Sequence, residues 1–350
     1  MNLRLNVALL RKKVPNLTVA AKEVGLRPAT VSNLCTGKIP LEKAEVQTLV
    51  KLASLVNCLL DDLVLSDDKL NLVETGIKAI DFFAPLKKGS VIGLLARKEM
   101  GQLILVAEVF LRLKKQGFKT MLLHSSDNVP GLMEVHNESE MLASSKESAV
   151  ELIDENLVDE DLIILMDRAH VLAGDLTYIK EHDTAKNLKS LTVVLVDLRG
   201  EAVDEDLPFG PLDMIWSFDM ELVAKKYYPA IHPLFSFSDE SLNESKDLSV
   251  QKQVQKYIRR YREMRILYSQ KGFEFLPKEE ESNFKKGERL EAFFTQPFYI
   301  AELYTKKEGE TVPHSTAMKD IKEILAGRWN HLPLSHFTNR GSLEGDKQQA

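Results

Sequence analysis

One run of residues restricts this chain more than any other: Glu74-Thr-Gly-Ile-Lys-Ala-Ile-Asp-Phe-Phe-Ala-Pro-Leu-Lys-Lys-Gly-Ser-Val-Ile-Gly-Leu-Leu-Ala-Arg-Lys-Glu-Met-Gly-Gln-Leu-Ile-Leu105. It reads as a lead-in loop, an apolar strand over Val91–Leu95, a turn, and an apolar helix running through Phe110. A strand that feeds a turn and then a helix can cradle phosphate on backbone N–H groups when the turn is G-x-x-x-x-G-K-[ST]. Here the turn is Ala96-Arg97-Lys98-Glu99-Met100-Gly101-Gln102-Leu103. The last glycine is kept. The lysine that would balance phosphate charge is replaced by neutral Gln102, and the hydroxyl that would hold magnesium by Leu103. The frame of a P-loop is predicted without its chemistry.

The runs that follow point to the same architecture. Strand-like runs at Val91–Leu95, Lys119–His124, Asp161–Met166 and Leu191–Val196 alternate with helical stretches, which predicts an α/β domain with a mainly parallel sheet. Asp167 closes the third run, where a Walker B-like carboxylate would hold magnesium through water. The expected fold class is α/β. A P-loop NTPase-like (RecA-like) parallel-sheet core is expected over 70–245, after an all-α helix-turn-helix domain over 1–65 and before a C-terminal helical domain over 246–340. In the last, helices are expected over Val250–Leu267, Glu288–Phe294 and Thr316–Leu325. The charge run Lys278–Glu281 is expected as a solvated loop, and the polar tail 341–350 as disordered.

Charge separates the N-terminal end from the rest. Residues 1–38 hold Arg4, Arg11, Lys12, Lys13, Lys22, Arg27 and Lys38 against Glu23 alone, +6 in a chain whose net charge is −6, so the remainder carries −12. A basic end on an acidic chain suits a polyanion-binding module. Helices are expected over Leu3–Lys13, Thr18–Val24, Ala29–Thr36 and Leu41–Val56, with a turn through Asp61–Val64. Ala21 is small enough for two helices to cross tightly, Gly25 can take the left-handed turn, and Val31 and Leu34 pin the second helix. This spacing, with Ser32-Asn-Leu-Cys-Thr-Gly-Lys38 after it, resembles the helix-turn-helix of lambda-repressor and Cro-like domains over residues 3–64. The resemblance implies that Pro28, Ala29, Ser32 and Asn33 face base edges in the major groove, Asn33 suiting adenine. Lys12, Thr30, Thr36 and Lys38 would contact phosphates. Double-stranded DNA and self-association as a dimer or higher oligomer are the partners so implied; a helical protein-interaction module is the other use of such a domain.

Four runs carry a second resemblance: Glu74–Pro85, Tyr228-Pro-Ala-Ile-His-Pro-Leu234, Phe293-Phe-Thr-Gln-Pro-Phe298-Tyr-Ile-Ala-Glu302, and Ile324-Leu-Ala-Gly-Arg-Trp-Asn-His-Leu-Pro333. In this order they resemble the rotary ATP synthase beta subunit over roughly residues 72–340, without its N-terminal β-barrel. The departures fall on the chemistry. Beyond Gln102 and Leu103, the loop glycines become Ala96, Arg97, Lys98 and Glu99. The glutamate that orients the attacking water aligns with Ser126, an arginine with Asp127, and another arginine with about Met220. Asp167 is retained. The positions that stack on adenine match Tyr228, Phe293 and Phe298, which serve equally as packing between the central and C-terminal regions. The segments that build neighbour contacts in the family's rotary hexamer are missing, so no such hexamer is expected.

Phosphoryl transfer depends on positioned charge and metal, so the resemblance implies a pseudo-ATPase. No catalytic residue, metal ligand or obligatory cofactor is expected. An adenine nucleotide held without magnesium is the ligand the aromatic positions leave open. No apolar run is long enough to span a membrane. Cys35 and Cys58 lack metal-like spacing and suit a reducing cytoplasm. The function expected is a DNA-binding transcriptional regulator with an inactive ATP synthase beta-like body for assembly or ligand sensing. An ATP-binding or ATPase subunit with a divergent site around Asp167, and a protein-interaction scaffold, are the alternatives.

Overall fold

The computed structural model describes residues 3–14, 17–36, 38–66, 71–124, 129–198, 212–238 and 245–343. The chain forms two compact units, Met1–Leu72 with Asp239–Gln253, and Val73–Ser238 with Val254–Ala350.

In the first unit five helices follow a short strand: β1 (Leu3–Leu5), α1 (Val7–Lys13), α2 (Leu17–Glu23), α3 (Pro28–Cys35), α4 (Val46–Val56), α5 (Leu60–Leu63) and then β2 (Val64–Ser66). The expected all-α module is corrected at its start. Leu3–Leu5 pairs antiparallel with Val64–Ser66, and the first helix begins only after Asn6, whose side chain accepts the Leu9 N–H at 3.0 Å. The alternation Leu3-Arg4-Leu5 has a strand's period of two rather than a helix's. The helix expected from Leu41 starts at Val46, because Leu41–Lys43 forms a 3-10 turn and Ala44 is extended. Leu10, Ala21, Val31, Leu34, Leu52 and Leu63 fill the core between these elements.

The second unit is built on a seven-stranded sheet. Its strands are β3 (Val91–Leu95), β4 (Lys119–Leu123), β5 (Met141–Ala143), β6 (Asp161–Asp167), β7 (Ser190–Val196), β8 (Met214–Ser217) and β9 (Phe237–Ser238). Their order is β9-β8-β3-β7-β6-β4-β5. All neighbours are parallel except β9, which runs antiparallel on β8. Strands β3 and β4 and most of β6 and β7 are buried, as continuous apolar runs in a parallel sheet covered on both faces should be. The parallel register brings the C-terminal ends of β3, β6, β7 and β8 to one edge: Leu94 pairs with Val196, Asp167 with Val196, and Ser217 with Leu95. Ligands of open α/β sheets bind at that edge.

Two helices tie this sheet to the C-terminal residues, α6 (Lys78–Phe83) and α7 (Gln102–Lys114). On α7, Arg112 and Glu108 form a fully buried pair at 2.8 Å. Glu108 also accepts the N–H groups of Tyr299 and Ile300 at 3.2 and 3.0 Å. Arg112 donates to the carbonyl of Gly76 at 3.1 Å, the Thr311 hydroxyl at 3.1 Å and the carbonyl of Glu310 at 2.7 Å. Gln296 completes the joint by accepting the Lys78 N–H at 3.0 Å and donating to the Gly76 and Glu310 carbonyls at 2.8 and 2.5 Å. Every buried charge here is matched, as burial demands.

Two further expectations change. Lys278–Glu281 is the first turn of a helix over Lys278–Phe293, not a loop; Glu279, Glu280 and Glu281 sit where the helix dipole favours anions. The long helix before it runs Ser245–Lys271. The disordered tail expected from 341 is corrected over Gly341–Leu343. Leu343 is fully buried, its N–H and the Ser342 hydroxyl donate to Asp320 at 2.8 and 3.1 Å, and the Gly341 N–H reaches Glu310 at 3.0 Å. Residues 344–350 lie outside the described residues.

The Lys78 ammonium, fully enclosed, donates to the carbonyls of Phe293, Arg340 and Gly341, the last two at 2.9 Å. Burial pushes this amine down from 10.5 to about 7, against the pull of Asp320 and Glu310. Between those two values the unfolded chain binds more protons than the folded one, so Lys78 makes stability rise with pH across that window. Comparing thermal unfolding of the wild type and Lys78→Met from pH 7 to 10 should show the difference in Tm shift in the wild type's favour as pH rises; a constant difference would mean that the buried amine keeps its ordinary value.

Candidate functional site

The turn between β3 and α7 closes on itself. Ala96 is buried; Arg97, Lys98 and Glu99 turn outward, with Glu99 in the left-handed region at φ 62°; Met100 turns back in and is only 3% exposed. The Arg97 N–H donates to the Met100 sulfur at 3.1 Å, and the Met100 N–H to the Gln102 side-chain oxygen at 3.1 Å. Two amides of the kind that would face a phosphate are therefore satisfied by side chains of the loop itself. Gly101 holds φ at +85°, and a β-carbon there would stand 3.4 Å from the Tyr228 ring. Leu103 is buried against Gly131, where an added β-carbon would lie 3.2 Å from it. The loop's cations, Arg97 and Lys98, stay at the surface, and no oxygen stands at position 103 to hold a metal.

Asp167 lies at the same edge, half-buried, and its carboxylate accepts the Leu198 N–H at 3.2 Å. From the end of β6, two strands away from β3, it thus secures the turn after β7. Ser126 and Asp127 lie outside the described residues. Met220 opens a short helix, Met220–Ala224, and is exposed. The residue with charged chemistry there is its neighbour Asp219, which was not singled out from the sequence. Asp219 meets Arg262 at 2.7 Å; Arg262 meets Glu291 at 2.6 Å, and Lys225 joins Glu291 at 2.5 Å to Glu221 at 2.8 Å. Burial works against the Asp219 anion, yet Arg262 and His232 hold its carboxyl below the ordinary value. Burial also pushes His232, 3.6 Å from Asp219, down to about 4, so that it is neutral at pH 7. The network's only sequence signal was the Tyr228–Leu234 run, which contains His232.

The three aromatic positions do not form one stacking surface. Phe293 is fully buried with the Lys78 ammonium 4.0 Å from its ring centre, and it packs edge-on against Phe294. Phe298 is buried. Tyr228 is 38% exposed and lies over Gly101. The chain segments do meet, since the Gln296 N–H donates to the Tyr228 carbonyl at 2.8 Å. Among the described residues, however, no ring contact joins Tyr228 to Phe293 or Phe298. Tyr228 alone presents a face.

In the first unit, α2 and α3 are joined by a turn with Gly25 at φ +69°, and the Leu26 N–H closes on the Ala21 carbonyl at 2.8 Å. Ala21, Val31 and Leu34 point inward. On α3, Ala29 and Ser32 are exposed, and Pro28, Thr30 and Asn33 half-exposed; Thr36 and Lys38 beyond it are exposed. The Thr36 hydroxyl donates back to the Ser32 carbonyl at 2.8 Å. Lys12 belongs to α1, but its side chain is outside the described residues.

No family model matches this chain. Among solved structures, 436 chains match. One of them is described as a unique ATP synthase subunit, NeqB, from Nanoarcheaum equitans, with 19% identity and a TM-score of 0.56 over 75% of this chain and 77% of that chain. At that identity the likeness establishes an ATP synthase subunit-like fold. It leaves activity open, because one fold hosts many sites, and it gives no information on DNA binding.

Gly101→Ala would force a β-carbon into the left-handed region beside the Tyr228 ring. Urea denaturation should show a loss of about 1–2 kcal/mol, whereas an unchanged midpoint would mean that the loop does not hold this conformation.

Proposed function

We propose that this protein binds double-stranded DNA through its N-terminal unit and carries an ATP synthase-like body that does not hydrolyse ATP. The observation that carries the second half is the Met100 thioether seated in the turn, with its neighbouring amides already paired. A triphosphate would have to displace Met100 and Gln102, and would then find a leucine where magnesium needs an oxygen. Transition-state stabilisation in phosphoryl transfer comes from placed cations and metal, and this loop places neither. The body then serves assembly or sensing. Tyr228 offers a single open ring that suits a purine or another flat ligand without magnesium.

The first half is supported by the surface of α3. Its buried side is apolar, and its outward side carries Ala29 and Ser32 with Asn33 beside them, small and polar groups that fit a major groove. Exposed Arg27 and Lys38 stand just beyond its two ends. One such module reads a single half-site, so two copies of the chain form the proposed binding species. A second reading, a nucleotide-binding subunit of an ATP synthase-like assembly, draws on the solved ATP synthase subunit that shares the fold. In that role Asp167 would have to exchange its bond to the Leu198 N–H for a metal-bound water.

Two measurements decide between them. Selection from a randomised duplex pool with the full-length protein should enrich a two-fold symmetric sequence, and Asn33→Ala should relax preference at one base pair per half-site by about 1–3 kcal/mol; no enrichment at all would remove the DNA-binding half. Phosphate release from magnesium-ATP should stay at background for the wild type and Asp167→Ala alike. Turnover that Asp167→Ala abolishes would establish the second reading instead.

A further inference from the structure

The turn between α2 and α3 carries a cation that neither helix supplies. Lys51 lies on α4, and its ammonium nitrogen comes within 3.6 Å of the point where a β-carbon on Gly25 would stand. Its neighbours Leu52 and Ala53 are buried in the core, which fixes the rotation of α4 and directs Lys51 over the turn. Gly25 therefore serves twice, by taking φ +69° and by leaving its surface bare to the ammonium. Lys22, in the last turn of α2, and Arg27, the residue before α3, are exposed on either side of the same turn. The acid close by in sequence is Glu23, so Lys22, Arg27 and Lys51 leave this end of α3 with a surplus of positive charge. Among the described residues no ion pair neutralises Lys22, Arg27 or Lys51.

We propose that Lys51 is a phosphate-binding residue, which with Lys22 and Arg27 takes the sugar–phosphate strand beside the groove that α3 enters. This rests on the DNA-binding reading and extends it to a residue on a different helix. Three unpaired cations around a turn that opens the recognition helix suit a phosphodiester strand better than an isolated anion, because successive phosphates can engage them together. Such contacts orient the helix and carry no base preference. Their signature is release of counterions, which lowers log K with log salt by about 0.9 per phosphate neutralised on duplex DNA.

The test is a titration of a fluorescein-labelled, mixed-sequence duplex with the full-length protein between about 50 and 200 mM KCl. Lys51→Ala should reduce the salt slope by about 0.9 and weaken binding equally on all sequences, while Lys51→Arg keeps the slope. Lys186→Ala, in the other unit, should leave it unchanged. Thermal unfolding of each variant shows whether the N-terminal unit is intact, and Lys51→Gln, which keeps the aliphatic stem, stands in should Lys51→Ala unfold. Wild-type binding whose slope is indifferent to Lys51→Ala and Lys51→Gln overturns the role of Lys51 and leaves the DNA-binding reading standing. Absence of salt-dependent binding by the wild type overturns both.

Discussion

The larger unit depends on one buried ion pair. Glu108 and Arg112 stand one turn apart on α7, enclosed on all sides, and between them they hold Gly76 in the lead-in and the backbone of Tyr299, Ile300 and Glu310. Neither charge could be buried alone, since an unpaired ion in such a place costs several kcal/mol. Each is instead matched by the other and by backbone groups that loops would otherwise leave without partners. The helix that follows the P-loop-like turn is thereby the post to which the C-terminal residues are fastened, whatever that turn binds.

The same joint gives two of the four motif runs a structural use. Gly76, Lys78 and Asp81 lie in the lead-in, and Gln296 lies in the Phe293–Pro297 run. All four hold the joint together: Asp81 accepts from the Thr75 and Gly76 N–H groups at 2.9 and 2.8 Å, and Gln296 bridges to Lys78. Burial pushes the Asp81 carboxyl up to about 6, against these bonds. Gln102 closes the turn, Leu103 packs against Gly131, and Met100 fills it.

Much of this was legible in the residues. The parallel sheet followed from the apolar runs, and Leu191–Val196 ends where its strand ends. The core of the N-terminal helices followed from Ala21, Gly25, Val31 and Leu34. Two of the failures come from contacts between residues far apart in the chain. Leu3–Leu5 forms a strand because Val64–Ser66, far along the chain, comes back to pair with it. Gly341–Leu343 looks like a polar tail until Asp320, Glu310 and Lys78 are seen to bind it. Lys278–Glu281 looks like a solvated loop because charge alone does not distinguish a loop from the first turn of a helix. For Phe293 the residues left stacking and packing both open, and the Lys78 ammonium lies over its buried ring.

By itself the sequence determined that the turn after Val91–Leu95 lacks the lysine and hydroxyl of a P-loop, because those are properties of side chains and survive any folding. It also determined the helix and strand periods, which are local. Only the tertiary structure decided what the altered turn does with its own amides, that Tyr228 covers Gly101, and that Lys51 stands over Gly25. Those are contacts between residues distant in sequence, fixed by how buried faces pack, and no period or motif along the chain encodes them. The run that begins at Glu74 is accordingly two things at once: a clamp within the larger unit, and a P-loop-like turn closed by its own methionine.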